Sequence, residues 1–173
     1  MTRRQQVAVV GMGTPDEHLA ALAEEVGRRL AEAGAVVVCG GHGGVMEAAA
    51  RGARGAGGHV IGILPGEDPE AANPHVTHVV ATGIGHARNL AVVASADVVV
   101  AIGGEWGTLA EIAFARRLGR PVVALKSWRV SGGGPMEGGP GIEVATDPKT
   151  AVELALRRAT AARLGGPRHE SAI

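Results

Sequence analysis

Three glycine-rich turns contain the residues whose types and spacing favour ligand chemistry. They occupy residues 11–13 (Gly-Met-Gly), 40–44 (Gly-Gly-His-Gly-Gly) and 103–108 (Gly-Gly-Glu-Trp-Gly-Thr). Each turn follows a valine-rich apolar run and precedes a run of helical periodicity. Glycine lets backbone N–H groups approach a ligand closely, and the helix that follows presents its partly positive end. The pattern predicts an anion site, and phosphate is the anion it favours.

The third turn adds two side chains that can act on such a ligand. Thr108 can cap the following helix or bind a phosphate through its hydroxyl, and Glu111 lies one turn further along the same face. A glutamate in the first turn of a helix also suits the helix dipole and capping. Spacing therefore leaves Glu111 with either a structural or a chemical role.

Neither of the other two turns matches a standard nucleotide motif. Residues 11–16 lack the third glycine of a dinucleotide fingerprint, and residues 40–46 lack the Lys-Ser/Thr ending of a P-loop. Glycines in any one of these turns can simply permit a tight connection between strand and helix. The presence of three such turns favours ligand binding.

The elements that must position these turns alternate between strand and helix. The pattern predicts strands at 7–10, 35–39, 59–64, 76–81, 97–102 and 121–125, and helices at 15–33, 44–54, 85–94, 108–118 and 148–164. Continuously apolar strands are buried on both faces, which is typical of a parallel sheet between two helical layers. We expect an α/β, Rossmann-like, doubly wound fold with a mostly parallel sheet and helices on both faces. Ligands of such sheets bind at the carboxyl ends of the strands, where all three turns fall.

The end of the chain breaks the alternation. Residues 131–141 are rich in glycine and proline and predict a loop, either a lid or a spacer. Asp147 and Pro148 then supply an N-cap and a first helical residue for the last helix. We expect one domain over residues 1–164 and a frayed tail over 165–173.

Composition excludes several classes of partner. Seventeen basic and seventeen acidic residues cancel, and aromatic residues make up only 2% of the 173, so no nucleic-acid partner is expected. No apolar run is long enough to span a bilayer, so no membrane partner is expected either. Cys39 is the sole cysteine and no signal segment precedes the first strand, which favours the cytoplasm. The partner predicted by elimination is a small molecule.

No metal or resident cofactor is expected. His75 and His78 lie three apart on a predicted strand and therefore point to opposite faces, with no third ligand nearby in sequence. Lys126 and Lys149 are the only lysines, and neither stands in a recognisable pyridoxal phosphate motif.

Residues 40–46 and 103–111 resemble the LOG family, whose signatures are GGGxxGLM and PGGxGTxxE. Residues 85–89 (Gly-His-Ala-Arg-Asn) stand where that family has MHxRK. Its members are often labelled lysine decarboxylases, and its characterised enzymes are cytokinin riboside 5′-monophosphate phosphoribohydrolases, typically dimers. The resemblance runs from about residue 7 to 125. It implies a phosphorylated small-molecule ligand and a homodimer or higher homo-oligomer.

The resemblance assigns roles to individual residues. Arg88 would bind the phosphate bidentately, together with the backbone N–H groups around 104–108. Glu111 would lie near the ribose, where a carboxylate stabilises an oxocarbenium-like transition state or orients water. Arg88 and Glu111 are therefore the catalytic candidates. The residues expected to line the phosphate and nucleotide are Gly13, Gly40, Gly41, Gly43, Gly44, Met46, His86, Arg88, Asn89, Gly103, Gly104, Glu105, Trp106, Gly107 and Thr108.

Four departures from the LOG signatures separate this chain from the characterised enzymes. Gly103 replaces the proline, Glu105 the second glycine and Asn89 the lysine, and Glu47 follows the methionine. The chain looks more like a LOG-related branch similar to the molybdenum cofactor carrier protein of algae, which binds rather than hydrolyses.

Two functions stay open. One is a nucleotide-binding protein that hydrolyses the N-glycosidic bond of a nucleoside 5′-monophosphate, and the other is a non-catalytic carrier or sensor of a phosphorylated cofactor or nucleotide. Trp106 either stacks on the ligand or covers a helix end or an interface.

Overall fold

The computed structural model describes residues 3–130 and 141–165. The strands are β1 Gln6–Gly11, β2 Val36–Cys39, β3 Val60–Leu64, β4 His78–Ala81, β5 Val98–Ile102, β6 Val122–Leu125 and β7 Ile142–Ala145. The helices are α1 Glu17–Glu32, α2 Val45–Gly55, α3 Arg88–Ala94, α4 Trp106–Arg117 and α5 Pro148–Leu164. Within the described residues, the seven strands form one parallel sheet in the order β4-β3-β2-β1-β5-β6-β7. Two 3₁₀ turns, Pro69–Ala71 and Gly85–Ala87, flank β4.

Helices cover both faces of the sheet, which confirms the predicted fold class. Residues of α1, α2 and α5 pack with Val7 and Val9 of β1 on one face. Residues of α3 and α4 pack with Ala8 and Val10 on the other face. Alternate residues of one strand thus enter different cores, and the central strands are apolar throughout for this reason. Within residues 3–130 and 141–165, no helix has the length and apolar character needed to cross a bilayer.

The last strand, β7, was not predicted from the sequence. β7 pairs in parallel with β6 at one edge of the sheet. Its four residues include Glu143, and Val144 is 57% exposed, so the strand lacks the continuous apolar character by which the others were recognised. The predicted helix over 85–94 is also divided into a 3₁₀ turn and α3. The predicted loop up to residue 140 and the predicted tail from residue 166 lie outside the described residues.

Asp97 lies at the amino end of β5, across the sheet from the glycine turns. Its carboxylate is fully buried and forms an ion pair of 2.6 Å with Arg3. It also accepts a hydrogen bond of 3.0 Å from the backbone N–H of Gln6. Asp97 therefore links the start of β1 to the start of β5, which is a structural role.

Helices α1 and α2 approach each other closely through small residues. A Cβ atom added to Gly27 of α1 would lie 2.0 Å from the carbonyl oxygen of Ala49, and one added to Gly52 of α2 would lie 1.9 Å from that of Glu24. Real Cβ atoms do not tolerate such distances, so these two glycines set the separation of the helices. At its other end, α2 donates the Val45 N–H to the carbonyl of Met12 at 3.0 Å. The packing therefore helps to place the second turn beside the first.

We expect Gly52→Ala to lower the free energy of unfolding by about 1–3 kcal/mol, because the added methyl overpacks the α1–α2 contact. Gly55→Ala is the matched control in the same helix, since a Cβ there meets nothing within 4 Å. Alanine has the higher helix propensity, so Gly55→Ala should leave stability unchanged or raise it by up to about 1 kcal/mol. Urea unfolding of the three proteins measures both effects, and equal shifts in the two variants would contradict the packing argument.

Candidate functional site

The three glycine turns meet at the carboxyl ends of three adjacent strands. They follow β2, β1 and β5, which are neighbours in the sheet, and Gly11 pairs in register with Ile102 at the ends of β1 and β5. From β1 the chain continues to β2 on one side of β1, and it later adds β5 on the other side of β1. Ligands of open α/β sheets bind outside such a switch point. The topology thus brings together the turns that the sequence analysis singled out.

Arg88 reaches from α3 to the second turn. Its side chain is 9% exposed, and a Cβ atom added to Gly40 would lie 1.8 Å from its Nη1 and 2.7 Å from its Cζ. The guanidinium therefore lies directly against the backbone of Gly40, where any larger residue would displace it. Nη1 has no hydrogen-bond partner among the described residues.

A buried guanidinium with a free donor is an unusual electrostatic arrangement. Burial lowers the pKa of Arg88, and attraction to Glu111 partly offsets this effect. Burying a charge without a hydrogen-bonded partner costs several kcal/mol, which an anion bound at the free donor would recover. The arrangement is suited to an anionic ligand.

The third turn leaves the beginning of α4 without a side-chain cap. Glu105 occupies the N-cap position, but its side chain makes no cap hydrogen bond. Its carboxylate accepts instead from the Thr14 hydroxyl at 2.5 Å. Thr108 is buried, and its Oγ1 has no partner among the described residues. Of the two roles open to Thr108, capping is therefore not the one it fills, and both its hydroxyl and the first N–H groups of α4 can bind a ligand.

Helices α3 and α4 begin beside each other. The Asn89 amide nitrogen is 3.7 Å from the position a Cβ would take on Gly107. Arg88 of α3 and Glu111 of α4 also attract each other electrostatically. The segment that carries the buried guanidinium is thus adjacent to the third turn, as the proposed phosphate site requires.

Glu111 lies in the same buried region, one helical turn after Thr108. It is 7% exposed, and burial raises the pKa of its carboxyl to about 7, with the charge of Arg88 acting in the opposite direction. A carboxyl with this pKa is present in both protonation states near neutral pH, so it can donate or accept a proton there.

The first and second turns are also in contact. A Cβ on Gly44, whose φ is +64°, would lie 2.3 Å from the Met12 carbonyl oxygen. One on Gly43 would lie 3.7 Å from the Gly13 carbonyl oxygen. Met46 completes this contact, because its Sδ is 2.7 Å from the Cβ position of Gly40 and its Cε 3.8 Å from that of Gly13. Gly41 lies against β3, with its Cβ position 2.6 Å from Leu64 Cδ2.

Other predicted site residues are exposed to solvent or covered by neighbouring side chains. Trp106 and His86 are exposed, and Glu105 is exposed and bound to Thr14. Gly103 and Gly104 lie under other side chains, since their Cβ positions are 2.5 Å from Leu19 Cδ1 and from Trp128 Nε1. Within the part of the chain that the structure describes, no group of three or more His, Cys, Asp or Glu side chains is arranged to hold a metal ion.

The segment that follows β6 also contacts the third turn, and the sequence did not predict this. Trp128 packs on Gly104 and donates from Nε1 to the Glu105 carbonyl at 3.3 Å. Ser127 has a buried hydroxyl without a partner among the described residues, 3.6 Å from the Cβ position of Gly104. Lys126 adopts φ +52°, the region that side chains seldom occupy. No glycine motif marks this segment, and its position after the strand next to β5 was the only signal that could have indicated it.

We expect Gly40→Ala to weaken ligand binding much more than it affects folding. The added methyl overlaps Nη1 and Cζ of Arg88, which can move away on a flexible side chain, so the fold survives while the guanidinium leaves its position. Gly66→Ala is the matched control, because a Cβ there meets nothing within 4 Å. Calorimetric titration with ribose 5-phosphate, together with thermal unfolding, measures both effects. Unchanged affinity in Gly40→Ala would contradict the placement of Arg88.

Glu111 should make stability depend on pH in a defined window. Burial raises its pKa from the ordinary value of 4.5 to about 7 in the folded protein. The unfolded chain therefore loses this proton first, and stability falls as the pH rises from about 4.5 to 7, then levels off. We expect Glu111→Gln to remove this decrease, which is on the order of 3 kcal/mol. The difference between wild-type and variant unfolding free energies at pH 5 and 8 measures it. A difference that does not change with pH would contradict the buried position.

Known proteins resemble this chain over most of its length. An uncharacterized protein of Archaeoglobus fulgidus is 44% identical over 121 residues, which cover 70% of this chain and 80% of the relative. The structure of the molybdenum cofactor binding protein from the phototrophic bacterium Rippkaea orientalis matches with a TM-score of 0.80 at 30% identity, covering 91% of this chain and 98% of that one. The molybdenum cofactor carrier protein of Chlamydomonas reinhardtii matches with a TM-score of 0.80 at 32% identity, covering 92% and 99%.

These matches agree with the LOG-like branch that the sequence motifs indicated. The model of the SLOG cluster4 family matches residues 4–152, which include every residue of the three glycine turns, Arg88 and Glu111. The shared region therefore extends beyond the two motifs to β7 and the start of α5. On this evidence the chain belongs to the SLOG cluster4 family.

Proposed function

We propose that this protein binds a small phosphorylated ligand, a nucleotide or a phosphorylated cofactor, in the crevice outside β2, β1 and β5. The observation that carries the proposal is the buried Arg88 guanidinium with Nη1 unpartnered among the described residues. The unpartnered hydroxyl of Thr108 and the uncapped start of α4 lie on the adjacent helix. A phosphate offers several acceptors to these donors at once. In this arrangement Arg88 binds the phosphate and the turn at 104–108 surrounds it.

We favour a carrier over an enzyme. Both similar solved proteins named above are described as binding or carrying the molybdenum cofactor. Glycoside hydrolysis generally uses two carboxylates on either side of the scissile bond. Glu105 is exposed and bound to Thr14, and Glu47 stands on α2, where its Oε2 is 3.8 Å from the Cβ position of Gly43. Neither is buried as Glu111 is. A single buried carboxyl beside a cation suits ligand retention better than two-carboxylate catalysis.

Phosphoribohydrolase activity is the second candidate, and one observation favours it. The pKa of Glu111 is raised to about 7, where a carboxyl serves as a general acid or base at neutral pH. Glu111 would then accept a proton from a water molecule that attacks the anomeric carbon of a nucleoside 5′-monophosphate. A C–O bond forms as the C–N bond breaks, and the base takes up a proton and leaves ribose 5-phosphate. Arg88 would position the phosphate in that reaction, as it does in the carrier.

We also propose that the protein self-associates in the cytoplasm through the outer face of α3 and α4. The exposed residues Ala87, Leu90 and Ala94 are spaced for one face of α3. Ala110 and Ala113 are exposed on the neighbouring α4. Small apolar residues on two adjacent helices allow close packing of a second copy of the chain. This association would not cover the proposed ligand site at the carboxyl ends of the strands.

Binding of phosphorylated ligands tests the proposal. We expect wild-type protein to bind adenosine monophosphate and ribose 5-phosphate in calorimetric titrations, and we expect Arg88→Gln to weaken both by about 10- to 100-fold. Arg54→Gln is the matched control, because Arg54 is an exposed arginine near the end of α2. The affinities of Arg54→Gln for both ligands should equal those of the wild type. Failure of the wild type to bind any phosphorylated compound, or equal losses in the two variants, would contradict the proposal.

The same protein samples separate the carrier from the enzyme. A panel of nucleoside monophosphates is incubated with the protein, and free base is measured by chromatography. The carrier predicts retention of ligand without release of base. Release that is lost in Glu111→Gln, with binding preserved, would establish the hydrolase instead.

A further inference from the structure

Trp106 exposes a large apolar surface beside the proposed phosphate site. It is the first residue of α4 and is 77% exposed. Indole rings bury more apolar area than almost any other side chain, so an exposed one gains stabilisation when something covers it. The Trp106 ring is therefore available to pack on a ligand.

Covering the start of α4 does not explain the position of Trp106, because Trp128 already covers the turn there. Trp128 packs over Gly104, donates from Nε1 to the Glu105 carbonyl at 3.3 Å, and contacts the apolar core on the α3–α4 side. The two indole rings are 5.6 Å apart between centroids and tilted by 33°. Trp128 thus holds the turn and contacts the Trp106 ring, while most of Trp106 stays exposed.

The open ring stands next to the proposed phosphate site in the chain. Gly107 follows it and lies against Asn89, and Thr108, with its unpartnered hydroxyl, comes next. Only Gly107 lies between Trp106 and Thr108, so their Cα atoms are at most about 7 Å apart. Thr108 is buried and Trp106 is exposed, so the two side chains leave the helix in different directions. A ligand whose phosphate is bound by Arg88 and the start of α4 therefore reaches Trp106 with the part that extends from that site towards solvent.

We infer that Trp106 is the stacking residue for a planar heterocycle, such as a purine, carried by the phosphorylated ligand, with Trp128 as its positioning residue. The inference rests on the proposed function, because the phosphate site brings the ligand to Trp106. Stacking on an aromatic side chain tolerates many heterocycles, since each has a π-face. Trp106 then supplies affinity for the ring, and Arg88 supplies affinity for the phosphate.

A comparison of two ligands that differ in the ring tests this inference. Adenosine monophosphate carries a phosphate and a purine, whereas ribose 5-phosphate carries only the phosphate and sugar. We expect Trp106→Ala to weaken adenosine monophosphate binding by about tenfold or more and to leave ribose 5-phosphate binding unchanged. Trp106→Phe retains a ring and should recover most of the lost affinity. Leu118→Ala, an exposed apolar residue at the other end of α4, is the control and should change neither affinity.

Fluorescence gives an independent measurement, because Trp106 and Trp128 are the only tryptophans in the chain. Adenosine monophosphate should quench the wild-type emission and ribose 5-phosphate should not, and the quenching should disappear in Trp106→Ala, in which Trp128 still emits. Unchanged affinity for both ligands in Trp106→Ala would overturn the inference while the phosphate site stands. Equal affinity of the wild type for the two ligands would also overturn it. The same holds if the only effect of Trp106→Ala is a change in oligomeric mass. If neither ligand binds the wild type, the proposed function falls and this inference falls with it.

Discussion

The proposed ligand site depends on the contact between the Arg88 guanidinium and the backbone of Gly40. A charged group can remain buried only where the chain leaves room for it and where its donors find acceptors. Gly40 provides the room, since its Cβ position is 1.8 Å from Nη1. The carboxylate that would complete an ordinary ion pair is Glu111, whose own burial raises its pKa to about 7 and so weakens its charge near neutral pH. The positive charge of Arg88 is therefore not fully neutralised by Glu111, and a bound phosphate can neutralise it.

Glycines serve two physical purposes in this fold. Gly44 and Gly103 adopt φ of +64° and +63°, so they turn the chain where a side chain would be strained. Gly27 and Gly52 sit inside ordinary helices and are required only because α1 and α2 approach so closely. The first kind shapes the crevice directly. The second kind acts at a distance, because the α1–α2 packing helps to carry the second turn, through Val45 and Met12, to the first.

The carrier and the hydrolase share one binding arrangement and differ in what Glu111 does. In a carrier, a carboxyl that is partly neutral tolerates an anionic ligand beside it without full repulsion. In a hydrolase, the same raised pKa makes it an acid or a base for the reacting sugar. One electrostatic environment thus supports either outcome. The difference lies in whether a second group, or a water molecule, reaches the anomeric carbon from the opposite side.

The chain's local patterns determined the fold class and where the ligand site would be sought. Buried strands are recognisable because both faces need apolar residues, and Asp147 ends the last loop as predicted, accepting from the Thr150 N–H at 2.9 Å. The carboxyl ends of parallel strands share one edge, so the convergence of the three turns also followed from sequence. β7 could not be predicted from the sequence, because an edge strand with Glu143 and an exposed Val144 lacks the continuous apolar residues of a buried strand.

Only the tertiary structure decided which side chains are buried and which are left without partners. The Thr108 hydroxyl could have capped α4, but it is buried without a partner among the described residues. Trp106 could have covered the turn, but Trp128 from the segment after β6 lies there instead. The burial that shifts the pKa values of Arg88 and Glu111 likewise arises between α3 and α4. Sequence spacing reports periodicity along one element. Desolvation and hydrogen-bond partners depend on atoms from several elements at once, and these meet only when the chain has folded.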